Sequence, residues 1–320
     1  MCVVKKEVTV IGNSVVDVLA GPVDVRSLEA GSQPVKETKL SFGGDALNEA
    51  VLLSRFGKKV ELVSRLGQDE AGTRVMDYLR ENGVSVERVI TRKESPTSVN
   101  IVLVDEAGER YFLTNPGSSQ RKLTEEDVIR YLDEAADLVS FASIFVSAEL
   151  DIPAMERVFQ RVKRRTGRIL VADMTKAKHG ERLDDLKNLL PWVDYILPNE
   201  AEAALLTGEQ DPYGNAGKLV EAGVGCAVIK CGSQSCLIRT KQETLQIPAF
   251  AVPECVDTTG AGDSFAAGFL WGLSEGLSLA DCGRFACAAA SCSVECMGAT
   301  DGVHSLGQVM ERFRKMKADG

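Results

Sequence analysis

Asp257-Thr258-Thr259-Gly260-Ala261-Gly262-Asp263-Ser264-Phe265-Ala266-Ala267-Gly268-Phe269 is the stretch on which the reading of this chain turns. Two glycines flank an alanine, an acid follows, and an apolar, helix-compatible run begins at once. Such a loop can turn backbone N–H groups toward one point, and the helix that starts there adds the positive end of its dipole. The expected result is a preformed anion hole suited to a phosphoryl group with developing charge. Asp263 would stand at its mouth, placed to take a proton from an attacking hydroxyl. A Gly-rich turn also opens many buried helices that bind nothing. The acids at 257 and 263, and a second stretch far upstream, favour the functional reading.

That second stretch is Gly43-Gly44-Asp45-Ala46-Leu47-Asn48-Glu49-Ala50-Val51-Leu52-Leu53-Ser54-Arg55-Phe56-Gly57. Together the two resemble the signatures of the PfkB-type, or ribokinase-like, carbohydrate kinases. One is a GGxxxNxA helix start closed by a glycine after an aromatic; the other is a DTxGAGDxFxxGF block. They stand in family order and at family-like separation. The resemblance covers essentially the whole chain, strongest at 43–57 and 257–300 and weakest across 18–42 and 111–190. It implies a ribokinase-like α/β fold: a doubly wound, mostly parallel sheet flanked by helices, with a small β-sheet lid.

Composition sets the bounds. The chain has 320 residues, 44% of them hydrophobic, enough for one large domain over 1–320 with lid strands from 13–42 and 96–116 set into it. A net charge of -9 argues against nucleic-acid or anionic-membrane partners. Val8 to Gly12 reads as a strand, so the first residues do not resemble a signal peptide, and no apolar run is long enough to span a bilayer. A cytoplasmic protein is expected. Of the nine cysteines none forms a CxxC pair, and the two histidines are far apart, so a zinc site is not expected. Buried thiols in a reducing compartment are the default.

Along the chain, Val8–Gly12 is a short buried-strand pattern and Asn13 to Asp17 follow at its carboxyl end, where open α/β sheets place ligands. Asp17 there is either a hydroxyl acceptor or a turn acid. Residues 18–42 read as short strands and turns. Gly43 opens a helix, 59–66 is a strand, and a helix over 73–82 ends at Gly83. Alternation over 97–104 and 110–114, joined by 105–108, predicts a hairpin that joins the 18–42 strands over the site. From 124 onward strands and helices alternate: helices 124–136, 152–166, 182–190, 200–207 and 213–222, and strands 138–146, 168–172, 194–197 and 226–230. That alternation points to a parallel, doubly wound sheet. Strands near 235–239 and 243–247 and helices 262–275 and 279–295 close the chain.

A sugar kinase needs a grip on hydroxyls, a base, charge stabilisation and a place for nucleotide and metal. By resemblance, Asp17, Gly43, Gly44, Asp45, Asn48 and Glu149 bind the sugar, although a helix N-terminal acid explains Glu149 nearly as well. Asp263 matches the family's catalytic aspartate, and the N–H groups of Gly260, Ala261, Gly262 and Asp263 match its anion hole. Asn199 and Glu202 resemble its NxxE motif, which organises Mg²⁺ through water; the same pair is equally a helix capping box. Lys230, Gly232, Ser233 and Ser235 match its nucleotide loop, with Cys231 and Gln234 departing from it. Cys287 falls beside the adenine, on a stretch that also reads as an Ala-rich packed helix. A monovalent cation such as K⁺ is implied at Asp257, Thr259, Ser293, Cys296 and Gly298, with Gly302 standing where a serine would contribute.

These matches imply an ATP-dependent, Mg²⁺-using kinase acting on a primary hydroxyl of a ribose- or fructose-like sugar. Two clues on substrate conflict. Arg110-Tyr111-Phe112-Leu113-Thr114-Asn115 lacks the arginine after the aromatic that 2-keto-3-deoxygluconate kinases use, yet GGDxLN occurs among them. Asp173-Met174-Thr175-Lys176 departs from the DxNxR of fructokinases. A nucleoside kinase would need an aromatic base pocket, for which the lid offers Phe42, Tyr111 and Phe112. A silent sugar or nucleotide sensor is the alternative of another class. No GxxxxGK followed by Ser or Thr occurs, and no GxGxxG follows a strand, which excludes those nucleotide folds. An unpaired lid edge predicts a homodimer through 18–42 and 97–115.

Overall fold

Val8 and Val10 face one side of their strand and Ile11 the other, and both sides are fully buried. A strand of this kind belongs in the middle of a sheet covered by helices on both faces. The computed structural model describes residues 7–24, 26, 31–106 and 109–318. In it β1 (Val8–Ile11) is followed by β2 (Val15–Gly21), β3 (Glu37–Gly43), α1 (Asp45–Arg55), β4 (Val60–Gly67), α2 (Glu70–Glu81), β5 (Val89–Arg92), β6 (Val99–Val104) and β7 (Arg110–Leu113). Strand and helix then alternate through α3 (Glu125–Leu132), β8 (Leu138–Ile144), α4 (Ile152–Lys163), β9 (Ile169–Met174), β10 (Tyr195–Ile196), α5 (Glu200–Thr207), α6 (Pro212–Glu221) and β11 (Cys226–Cys231). The chain closes with β12 (Ser235–Arg239), β13 (Thr244–Pro248), α7 (Ala261–Ser274), α8 (Leu279–Ser293) and α9 (Leu306–Ala318).

Among the described residues the large sheet has nine strands in the order β13-β12-β11-β10-β9-β8-β1-β4-β5. The seven strands from β11 to β5 run parallel, and β12 and β13 add an antiparallel hairpin at one edge. From β1 the chain builds outward through β4 and β5, then returns to pair β8 on the other side of β1. That reversal is a topological switch point, where neighbouring connections part and leave a crevice at the carboxyl ends of the strands. Two apolar clusters, one on each face, hold the layers. The first joins α1, α7, α8 and α9 residues such as Leu52, Phe269, Phe285 and Phe313; the second joins α3, α4 and α6 residues such as Val128, Phe159 and Leu219.

The small sheet has the order β3-β2-β6-β7. As the alternation predicted, β6 and β7 form a hairpin, and β6 pairs in parallel with β2 from the 18–42 region. Its turn residues 107 and 108, parts of 25–30 and the residues 1–6 read for a leader lie outside the described residues.

Four sequence readings differ. The helix expected over 182–190 is two single 3-10 turns, Leu183–Leu186 and Leu190–Trp192. Pro191 has no N–H to continue a ladder, and the Arg182 N–H bonds the Asp185 carboxylate instead. The helix expected from 73 starts at Glu70, because Asp69 caps it by accepting from Gly72 N at 2.8 Å. Strand β5 and helix α9 were not read. Only Val89 and Ile90 in β5 are buried, too short a pattern to stand out, whereas α9 carries Leu306, Val309, Met310 and Phe313 at helical spacing.

Candidate active site

Two glycines decide where the site forms. Gly44 has φ 97°, and a Cβ there would stand 2.8 Å from the Asn13 carbonyl, so only glycine lets α1 start against the end of β1. Gly260 has φ 75°, and its Cβ would lie 2.1 Å from the Ala299 carbonyl. With both starts fixed, α1 and α7 approach each other, and Asn48 Nδ2 donates to Asp263 Oδ2 at 2.6 Å. The two signature stretches therefore meet through their side chains. Asp17 closes the other end of the line: it accepts from Asn100 Nδ2 at 2.8 Å, and a Cβ on Gly43 would stand 2.8 Å from its Oδ2.

Below this line opens a cleft of ≈ 740 Å³ at the carboxyl ends of β9, β10 and β11. Asp45, Asn199, Glu202, Lys230, Gly232, Ser233, Ser235, Ala261, Gly262, Asp263 and Cys287 all line it. Asp173, at the end of β9, also lines it and was read from the sequence only as a substrate marker; Lys230 Nζ sits 2.9 and 2.6 Å from its two oxygens. An acid just past the carboxyl end of a predicted strand, as Asp173 is past 168–172, is the kind of signal that pointed to Asp17. Lys230 Nζ also lies 3.6 Å from where a Gly262 Cβ would be, over the start of α7. Of the four N–H groups expected in the anion hole, that of Ala261 is turned to the Thr258 carbonyl at 3.2 Å.

The electrostatics are those of crowded acids. Burial raises the Asp263 carboxyl and Glu202 adds to it, while the Asn48 hydrogen bond and Lys230 oppose. Burial and then the Asp263 and Asp173 charges hold Asp45 well above the ordinary carboxylate range. Burial pushes Asp173 up to about 7 in spite of Lys230. Burial pulls Lys230 down, but Asp173 and Glu202 outweigh it and hold the ammonium above its usual value. Behind the site, Glu49 on α1 is fully buried, accepts from Ser140 Oγ at 2.6 Å through Oε2, and leaves Oε1 without a partner among the described residues. Burial first, then Asp173, Asp263 and Asp45, raise it strongly. No sequence motif flagged it.

Asn199 and Glu202 do form a capping box: each accepts from the other's backbone N–H at 2.9 Å. They nevertheless face the cleft. No group of three or more His, Cys, Asp or Glu among the described residues could hold a metal by itself. A hard cation that keeps most of its water and takes one or two carboxylates fits such an arrangement, with Glu202, Asp173 and Asp45 within the same cleft.

Glu149 is not brought to the cleft. It is exposed, pairs with Lys122 at 2.9 Å, and lines a separate surface groove with Arg157. The chain past β8 turns away at Phe145, whose φ is 72°, and carries Glu149 to the surface. Cys287 Sγ lies 3.9 Å from Cys236 Sγ.

Asp257, Thr259, Ser293 and Gly298 gather in one cluster. Asp257 Oδ1 accepts from Thr259 N and Oγ1 at 2.9 and 2.8 Å, and Oδ2 from Gly298 N and Arg110 Nη2 at 2.9 and 2.8 Å. The Thr259 carbonyl takes the Ser293 hydroxyl at 3.4 Å, and a Cβ on Gly302 would lie 2.5 Å from the Cys292 carbonyl. The Cys296 thiol contacts the Met297 carbonyl at 3.8 Å instead. The Asp257 carboxylate thus already accepts four donors, which leaves that side chain without a lone pair for a monovalent cation.

The family model described as pfkB family carbohydrate kinase matches residues 5–306. An uncharacterized sugar kinase from Archaeoglobus fulgidus is 31% identical over 261 residues, 78% of this chain and 97% of that protein. A 2-dehydro-3-deoxygluconokinase from Bacillus subtilis is 27% identical over 285 residues, 85% of this chain and 86% of the other. A ribokinase from Arabidopsis thaliana, solved with ribose and ATP, is similar in structure with a TM-score of 0.83 at 24% identity, covering 97% of this chain and 99% of its own. The chain belongs to the pfkB family of carbohydrate kinases and has the ribokinase-like fold. It is a phosphotransferase of that family.

Proposed function

We propose that this protein is an ATP- and Mg²⁺-dependent kinase that transfers the γ-phosphoryl group to a primary hydroxyl of a small neutral sugar. The observation that carries the reading is the Asp263 carboxylate, fixed by Asn48 at the start of α7 and at the mouth of the cleft. Asp263 takes the proton as the sugar oxygen bonds to the γ-phosphorus. The bond to the bridging oxygen breaks, and ADP leaves with that electron pair. The N–H groups at the start of α7 and the Lys230 ammonium stabilise the charge on the transferring group. Asn199, Lys230, Gly232, Ser233, Ser235 and Cys287 bind the nucleotide, and Glu202 orients Mg²⁺ through water. Mg²⁺, when bound, supplies charge neutralisation on the phosphates.

Asp17, Gly43, Gly44, Asp45 and Asn48 take the sugar. Three buried amide oxygens near this line, those of Asn13, Asn48 and Asn100, have no donor among the described residues. Acceptors and crowded acids suit a ligand rich in hydroxyl donors and oppose an added carboxylate. This favours ribose- or fructose-like sugars over 2-keto-3-deoxygluconate, the substrate class of the Bacillus relative. Phe42 stacks on Tyr78 at 4.6 Å and Tyr111 lies on the outer face of the small sheet, so of these three lid aromatics Phe112 alone is on the inner face to meet a flat nucleoside base.

The protein works as one domain with a lid built from 13–42 and 96–116. Exposed Leu40, Ile101, Tyr111 and Leu113 on the lid's outer face support a homodimer there. No helix among the described residues is long and apolar enough to cross a membrane, and a cytoplasmic setting follows from the substrates. The test is ADP release with MgATP across ribose, fructose, 2-keto-3-deoxygluconate and nucleosides, with Asp263→Asn as control. One neutral sugar strongly preferred supports the reading. Full turnover by the variant would sink the mechanism, and ATP binding with no turnover on any acceptor would favour a sensor.

A further inference from the structure

Arg110 belongs to the small sheet, yet its charge is used elsewhere. In the register of β6 and β7 it pairs with Val104, two steps along from Val102 and four from Asn100. Side chains two apart share a face, so Arg110 lies on the same inner face as Asn100 and its partner Asp17. From there the guanidinium reaches Asp257, the residue that opens the glycine loop of α7, at 2.8 Å. The pair is largely buried, with 21% and 6% of the two side chains exposed. A second tie runs from the same face: Lys39 on β3, opposite Leu19, bonds Asp301 Oδ2 at 2.8 Å, and Asp301 lies against Gly298.

Asp257 therefore accepts four hydrogen bonds, two into its own loop, one from Gly298 and one from the small sheet. Burial alone would raise its carboxyl, but the bonds from Gly298 and Thr259 and the Arg110 charge outweigh burial and hold it below the ordinary range. A carboxylate in this state has no lone pair left for a metal ion.

We propose that Arg110 is a positioning residue that supplies in cis the positive charge otherwise expected from a monovalent cation beside the anion-hole loop. The loop is then ordered by the small sheet itself, through the guanidinium that β7 holds against Asp257. The inference deepens the kinase reading and rests on it for the turnover measurement, but not for the melting measurement described next.

The experiment compares K⁺ with tetramethylammonium at equal ionic strength, for the full-length protein and for Arg110→Met. Thermal melting without substrates is read first, then ADP release with MgATP and whichever sugar the panel selects. The expected result is a wild-type protein whose melting and turnover do not distinguish the two cations. Arg110→Met in tetramethylammonium should lose about 10- to 100-fold in kcat, the range of one charged hydrogen bond, with most of it regained in K⁺. The variant should also gain a K⁺-dependent rise in melting temperature that wild type lacks. A residue that only packs would not become cation-responsive when removed. The proposal is overturned if wild type needs K⁺ for turnover or is stabilised by it, or if the variant loses rate with no response to K⁺. If Arg110→Met does not fold, the wild-type comparison alone decides. If no acceptor is turned over, the kinase reading fails while the melting comparison still decides the charge replacement.

Discussion

Asn48 Nδ2 donates to Asp263 Oδ2 across 2.6 Å, joining side chains 215 positions apart in the sequence. A donor aimed at a carboxylate favours its charged form. Burial pulls Asp263 the other way, toward protonation. Asn48 thus keeps the proposed base available as a base in a site that would otherwise neutralise it.

Removing that donor should move the acid limb of the pH–rate profile. In Asn48→Ala the Asp263 pKa rises further, so activity, which needs the deprotonated acid, is lost at a higher pH as pH falls. The limb should shift upward, because the hydrogen bond that favours the carboxylate is gone. A profile of kcat/KM against pH checks it, and a limb at the wild-type position would contradict it.

Asp173 makes the stability of the protein fall as pH rises. Its folded pKa of about 7 stands above the ordinary 3.8 of an aspartate, so between those values the folded state holds a proton that the unfolded state has released. Stability tied to that proton is complete below the unfolded value and is lost as pH rises through the folded one. Asp45, Asp263 and Glu49 shift in the same direction. Urea midpoints of the ligand-free protein should therefore drop between about pH 5 and about pH 8, less steeply in Asp173→Asn. An equal slope in the variant would show that Asp173 is not the group responsible.

Glu49 should be replaceable by its amide. Glu49→Gln keeps an acceptor for the Ser140 hydroxyl and removes a buried ionisable group. Because burial raises the carboxyl, ionising it in place is unfavourable, and that penalty grows with pH. The variant should match wild type at about pH 5 and exceed it in denaturant midpoint at about pH 8. A variant clearly less stable at both would mean that the charged form is needed.

Gly260 admits no side chain. In Gly260→Ala the left-handed backbone alone should lower stability by about 1 kcal/mol. The 2.1 Å approach of the new Cβ to the Ala299 carbonyl also forces the loop to shift. A shifted anion hole should lower kcat far more than it changes sugar KM. Steady-state kinetics beside a thermal melt separate the two effects, and near-wild-type kcat would show the loop to be freer than its geometry implies.

Much of this protein was legible in its sequence because the signals are local. Gly44 and Gly260 mark positive-φ helix starts, and the acids and amides beside them mark a ligand. Val8 to Ile11 shows a strand buried on both faces, and regular alternation after 124 dictates a parallel, doubly wound sheet. The hairpin 97–114 could be read from alternation alone. Helix α9 also carried a readable apolar stripe.

What the tertiary structure decided depends on side chains that meet across the fold. Asp173 and Lys230 share a cleft because β9 and β11 both pair with β10, and no local pattern states that pairing. Glu149 has the chemistry of a sugar ligand, but the turn at Phe145 carries it to Lys122 on the surface. Arg110 reads locally as one more residue of an edge strand; only the packing of the small sheet against the α7 loop brings it to Asp257. Local spacing fixes which face a residue takes, whereas the partner it meets there is set by the packing of elements far apart in the chain, and charge pairing is settled at that step.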